Sequence, residues 1–341
     1  MGVGCTGSGT CSTSNDRTGD RPASPVSPRT EPHGRVAPLK HKGIFVLDAP
    51  SNLGLRPPAG GKEPGVRRLP DRLRAHRLLK RVGAADGGRI PAPPYDPAIE
   101  LVTGVRNAQA IAAYSQQLAA AVQPLVSSGA FPLVLGGDCS ILLGPMLALR
   151  RQGRYGLCFI DGHLDLLTPE SSASKGVAGM DLALAIGHGP DLLSNLDGLR
   201  PLVQESDVVA LGFRGGTEGY GALTEPATRP PLLWLPLTDV REQGPVAAAE
   251  AALALFEGAR VQGFWIHLDV DVLDDSVMPA VDSRQPDGLS YEELGAVVRR
   301  LLQSPLAVGM ELTILDPDLD PDGLIIESFV DFLEDAFSVS D

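Results

Sequence analysis

Residues 267–274 read His-Leu-Asp-Val-Asp-Val-Leu-Asp and set Asp269 and Asp271 two apart on an apolar run. Read as a buried strand, the run puts both carboxylates on one face, because strand side chains alternate. Two unpaired carboxylates there would cost roughly several kcal/mol unless a cation held them, and a divalent metal is the usual solution. The stretch 157–165, Leu-Cys-Phe-Ile-Asp-Gly-His-Leu-Asp, repeats the pattern with Asp161, His163 and Asp165. Together these make five potential ligands at strand ends, enough for a two-metal site.

Ligands so placed need a scaffold of strands that end at one edge. Strands are expected at Gly43–Asp48, Phe131–Leu135, Leu157–Asp161, Val208–Phe213, Leu232–Leu235, Phe264–Leu273 and Ala307–Leu315. Helices are expected near 104–128, 245–258, 290–303 and 323–337. Continuous apolar strands separated by helices imply an α/β fold, a parallel sheet covered on both faces, and such sheets bind ligands beyond the carboxyl ends of their strands. Asp161, Asp269 and Glu311 all fall there. The segment 54–70, rich in Pro and Gly, reads as a loop near that edge.

Residues 1–42 are rich in Gly, Ser, Thr, Pro and Arg with almost no apolar pattern, so a disordered tail is expected, followed by one catalytic domain over 43–341. A formal net charge of −13 argues against nucleic acid and anionic membrane as partners. There is no apolar run of about 18 residues and no apolar core of a secretory signal, which points to the cytoplasm. Four cysteines fit a reducing compartment: Cys5 and Cys11 lie in the tail, Cys158 in a strand, and Cys139 in a Gly-Gly-Asp turn.

Taken together these motifs resemble the ureohydrolase superfamily of arginase, agmatinase and related guanidino hydrolases. Gly136-Gly137-Asp138-Cys139-Ser140 resembles its first ligand motif and Asp161-Gly162-His163-Leu164-Asp165 its second. Asp269-Val270-Asp271 with Asp274, Pro279-Ala280 and Gly288-Leu289 resembles the third, and Glu311 with Asp316-Pro317-Asp318-Leu319-Asp320 the last. The resemblance covers about 43–338. It implies a three-layer α/β/α sandwich with a mostly parallel eight-stranded sheet, two divalent ions with Mn²⁺ foremost, a small guanidino substrate, and a homo-oligomer, trimer or hexamer. It also implies one ion held by Cys139, Asp161, Asp165 and Asp269, the other by Asp161, His163, Asp269 and Asp271, and a metal-bridging hydroxide attacking the guanidinium carbon to release urea or a urea-like product. Asp165 would orient that hydroxide, Glu311 would pair with the guanidinium, Ser174 and the Thr217 position would contact substrate, and Asp274 would brace the ligands; His267, which strand alternation puts on the face of Asp269, is expected behind them as a hydrogen-bonded structural residue, with a ligand role as the alternative.

The chain departs from that pattern in ways that bear on chemistry. The family usually has His where Cys139 stands, and a thiolate favours softer ions, bringing Zn²⁺, Fe²⁺, Co²⁺ and Ni²⁺ into consideration. A proton-shuttling His is replaced by Ala178, so protonation of the leaving amine falls to Asp165 or solvent. Leu167 and Thr217 stand where arginase has polar groups for the amino-acid end of arginine, which argues for a different guanidino compound. Alternatives are an N-hydroxyarginine-type hydrolase, which also has Cys at the first ligand position, and a non-catalytic metal-binding member. A third is a cysteine hydrolase with Cys139 as nucleophile and His163 as base, weakened by carboxylates that would suppress the thiolate. His188 is a further candidate for the missing shuttle.

Overall fold

Runs such as Phe131-Pro-Leu-Val-Leu and Phe264-Trp-Ile-His-Leu-Asp are buried at every position, as strands covered on both faces must be. The computed structural model describes residues 1–2, 42–215 and 231–338. Its strands are β1 (Ile44–Asp48), β2 (Ala85–Arg89), β3 (Phe131–Leu135), β4 (Gly156–Ile160), β5 (Val208–Leu211), β6 (Leu233–Leu235), β7 (Phe264–Asp269) and β8 (Ala307–Thr313). They form one 8-stranded sheet in the order β2-β1-β3-β8-β7-β4-β5-β6. Every adjacent pair is parallel, so the sheet is parallel throughout rather than mostly so.

Alternation along each strand feeds two separate cores. Leu133, Leu135, Cys158, Ile160, Ile266 and Leu268 pack on one face with helices Pro245–Ala259, Tyr291–Leu302 and Leu324–Phe337. Val134, Leu157, Phe159 and Trp265 pack on the other with helices Ala108–Ser128, Leu143–Arg150 and Asp181–Ala185. This is the α/β/α sandwich. Among the described residues no helix is long and apolar enough to cross a membrane.

Several sequence expectations shift. β2, Ala-Asp-Gly-Gly-Arg, has no apolar pattern because it is an exposed edge strand that joins through backbone pairing to β1. The helix Leu143–Arg150 was not anticipated, since it is buried almost all round and carries no amphipathic stripe. The ligand-bearing strands are shorter than expected: β7 stops at Asp269 and a 3₁₀ turn, Val270–Val272, follows, while β4 stops at Ile160. Strand alternation therefore does not place Asp271, His163 or Asp165; the turns after the strands do. Most of the segment expected to be a tail, residues 3–41, lies outside the described residues, and β1 opens at Ile44.

Candidate metal centre

β3, β8, β7 and β4 lie side by side at the middle of the sheet, and their carboxyl ends supply the centre. After β3 the chain turns tightly at Gly137, where a Cβ would collide with the Ser51 carbonyl. Asp138 then caps the 3₁₀ turn Cys139–Leu142 by accepting from Ser140 N at 2.9 Å, while Ser51 Oγ donates to its other oxygen at 2.6 Å. That turn aims Cys139 inward, where Sγ lies 2.9 Å from Asp269 Oδ2 and 3.3 Å from Thr313 Oγ1. Asp269 ends β7, and its Oδ1 accepts from Asp271 N at 2.8 Å. Asp161 follows β4, and its Oδ1 accepts from His163 N at 2.6 Å. Asp165 has a left-handed backbone, φ 45°, costly for a non-glycine residue and tolerated where surrounding structure fixes it.

Two groups of donor atoms result. Asp161, His163 and Asp271 have ligand atoms within 4.8 Å of one another, with His163 Nδ1 2.9 Å from Asp271 Oδ2. Cys139, Asp161 and His267 form the second such group, again within 4.8 Å. Asp161 is common to both. The donor chemistry fits divalent ions: buried carboxylates, an imidazole and a thiol, with Asp161 Oδ2, His267 Nε2 and both Asp181 oxygens buried and without a hydrogen-bond partner.

Electrostatics point the same way. Burial, then repulsion from Asp271, pushes the Asp269 carboxyl well above the usual carboxylate range. Burial and the Asp161 charge do the same to Asp165 and Asp181. Burial and Asp269 push the Cys139 thiol well up. Burial also opposes ionisation of Asp271, but the hydrogen bond and charge of His163 outweigh it and hold this carboxyl low. Burial and mutual repulsion thus make the ionised forms of these acids costly, and cations held among them would offset that cost.

Above the acids lies a cleft of about 410 Å³. Cys139, His163, Asp165, Asp269 and Asp271 line it, with Leu167, Ala178 and Ile314 as apolar wall and Ser172 and Ser174 as hydroxyls. Ser174 Oγ accepts from Gly176 N at 3.1 Å, which fixes its side chain at the wall. Glu311 is not on that wall; it is fully buried and lies 2.8 Å from His267 Nδ1. Asp274 accepts from Ser276 N at 2.9 Å and Gly288 N at 3.0 Å and so stitches the loop after β7. His188 pairs with Glu205 at 2.8 Å and does not line the cleft. Thr217 lies outside the described residues. Sequence reasoning missed Asp181, whose signal was a single acid inside Met180-Asp181-Leu182-Ala183-Leu184, an otherwise apolar buried run.

The arginase family model matches residues 44–336. An arginase from Bacillus caldovelox is 32% identical over 217 residues, 63% of this chain and 71% of that protein. One from Staphylococcus aureus strain COL is 28% identical over 306 residues, 87% of this chain and 98% of that protein. The solved structure of the Bacillus caldovelox arginase superposes with a TM-score of 0.78 at 28% identity, covering 88% of this chain and 99% of that one.

Proposed function

The chain belongs to the arginase family, and we propose that it hydrolyses a C–N bond of a guanidino or amidino compound at a centre of two divalent ions. The observation that supports this reading is that Asp161 belongs to both groups of donor atoms, as a carboxylate shared by two ions would. Cys139, Asp161, Asp165 and Asp269 would hold one ion, and Asp161, His163, Asp269 and Asp271 the other. When bound, such a pair lowers the pKa of a shared water from about 15.7 toward neutrality and supplies the nucleophile at pH 7.

The chain's own residues account for the remaining needs. The acidic floor attracts a guanidinium cation, and Leu167, Ala178 and Ile314 exclude water beside it. Asp165, on the cleft wall, would take the proton of the attacking water and pass it to the departing amine in place of a shuttle at Ala178. Cys139 shifts the donor set toward softer ions, so Zn²⁺, Fe²⁺, Co²⁺ and Ni²⁺ compete with Mn²⁺. The cysteine-nucleophile reading is disfavoured, because the thiol's pKa rises through burial and the neighbouring acids. A homo-oligomer, trimer or hexamer, belongs to the same proposal.

Metal analysis of purified protein, paired with urea release over a panel of guanidino and amidino compounds, tests the reading. We expect two ions per chain and hydrolysis of at least one panel member. Protein loaded with two ions and inert toward the whole panel would overturn the hydrolase assignment.

A further inference from the structure

β7 presents Trp265, His267 and Asp269 to one face of the sheet, so His267 sits one alternation behind a proposed ligand. Its ring has no exposed surface and stacks on Phe159 of β4, with centroids 4.6 Å apart and planes at 5°. Across β8, its register partner Glu311 is equally buried and approaches Nδ1 at 2.8 Å through Oε1. The other ring nitrogen, Nε2, is buried and has no hydrogen-bond partner, and one nitrogen of this ring belongs to the group of donor atoms within 4.8 Å of one another that Cys139 and Asp161 complete. A histidine retained only for structure would leave that nitrogen's desolvation uncompensated.

We propose that His267 is a direct metal ligand through Nε2, joining Cys139, Asp161, Asp165 and Asp269 at one of the two cation positions, and that Glu311 is its positioning residue. The inference rests on the two-ion reading above. With Glu311 accepting the Nδ1 proton, Nε2 would carry the lone pair and be free to bind an ion, as in metal-bound histidines held by a second partner. Stacking on Phe159 fixes the plane of the ring. This assigns Glu311 to the support of a ligand rather than to contact with substrate, in keeping with its absence from the cleft wall. A thiolate, an imidazole and carboxylates on one ion form a mixed soft set that suits Zn²⁺ or Co²⁺ over Mn²⁺.

Co²⁺ alone, titrated into metal-free wild-type protein and His267→Gln, tests this through the visible d–d spectrum, the thiolate-to-cobalt charge-transfer band and the stoichiometry. We expect wild type to take two ions with a thiolate band, and His267→Gln to lose at least 10–100-fold in affinity at the thiolate site only, with a shifted spectrum. Unchanged affinity and spectrum in a folded His267→Gln would overturn the inference while leaving the two-ion centre standing. Wild type that binds no Co²⁺ would overturn both. Because the variant leaves Glu311 buried without its partner and can misfold, a Zn²⁺-loaded wild-type crystal gives an independent reading. Nε2 at about 2.0–2.1 Å from an anomalous peak supports the assignment, and no zinc within bonding distance of Nε2 refutes it.

Discussion

Cys139 Sγ lies 2.9 Å from Asp269 Oδ2, a hydrogen bond from the thiol that joins the turn after β3 to the end of β7. The contact ties two motifs 130 residues apart in sequence. A divalent ion bound between these atoms must displace the thiol proton, so metal uptake should acidify the solution. Adding Zn²⁺ to weakly buffered metal-free protein with a pH indicator should show proton release at pH 7, and Cys139→Ser should release less. Equal release from both would show that the thiol stays protonated in the loaded protein.

The same contact bears on nucleophilic chemistry. With the thiol pushed well up by burial and by Asp269, Cys139 should form no covalent intermediate. Intact-mass spectrometry during turnover should find only the unmodified chain. A substrate-derived adduct mapped to Cys139 would replace the hydrolytic mechanism with a covalent one.

Loss of Asp161 should cost both ions. Because it belongs to both donor groups, Asp161→Asn should remove or weaken both ions together and lower kcat/KM by on the order of 10³-fold or more, the equivalent of roughly 4 kcal/mol of lost charge stabilisation. His163→Gln, which touches one group, should spare the other ion. Metal content separates the cases: a normal two-ion complement in Asp161→Asn would contradict the shared-carboxylate geometry.

Much of this centre was legible in the chain because its motifs carry unusual residues on apolar runs. Asp161 and Asp269 announce themselves as acids where an ordinary strand would have none. The reason first assigned to the spacing was nonetheless incomplete: β7 and β4 end before Asp271 and His163, and backbone donors at Asp271 N and His163 N fold the motif back on its own carboxylates. Such turns are set by local hydrogen bonding that a period-two pattern does not encode. Asp181 was hidden for a different reason, since it becomes a candidate only when long-range packing brings it near Asp161, whereas His267 was legible by alternation as sharing the face of Asp269. The edge strand β2 was invisible because backbone pairing to β1, not side-chain burial, holds it.

Metal-free protein should grow less stable as pH rises. Asp165, Asp181 and Asp269 have folded-state pKa values raised, chiefly by burial, above the unfolded value near 4. For acids so shifted, the neutral form favours the fold. Their contribution is present below about pH 4 and is lost as pH climbs through the raised folded values. Other groups govern the acid limb, so the check is the slope between about pH 5 and 8. Tm of metal-stripped protein should fall across that range, Asp181→Asn should flatten the fall, and saturating Zn²⁺ should reverse it by compensating the ionised acids. A metal-free Tm that rises through the window would contradict these shifts.

Substrate choice follows from the cleft wall. Leu167 offers no hydrogen bond to an α-amino or α-carboxylate group at its place on the cleft wall, which Arg56, Asp282, Ser172 and Ser174 also line. Each missing hydrogen bond to a charged group forfeits about 1.5–3 kcal/mol, and each 1.4 kcal/mol is about tenfold. L-arginine should therefore fall roughly one to two orders of magnitude below a matched guanidino substrate with a less polar tail. Leu167→Asn should narrow that gap by raising kcat/KM for arginine while leaving the preferred compound near its original value or lower. Side-by-side assays of arginine, hydroxyarginine, agmatine, guanidinobutyrate and guanidine decide the matter. Arginine as the best substrate of the wild type, with no response to Leu167→Asn, would show that the wall at Leu167 does not set specificity.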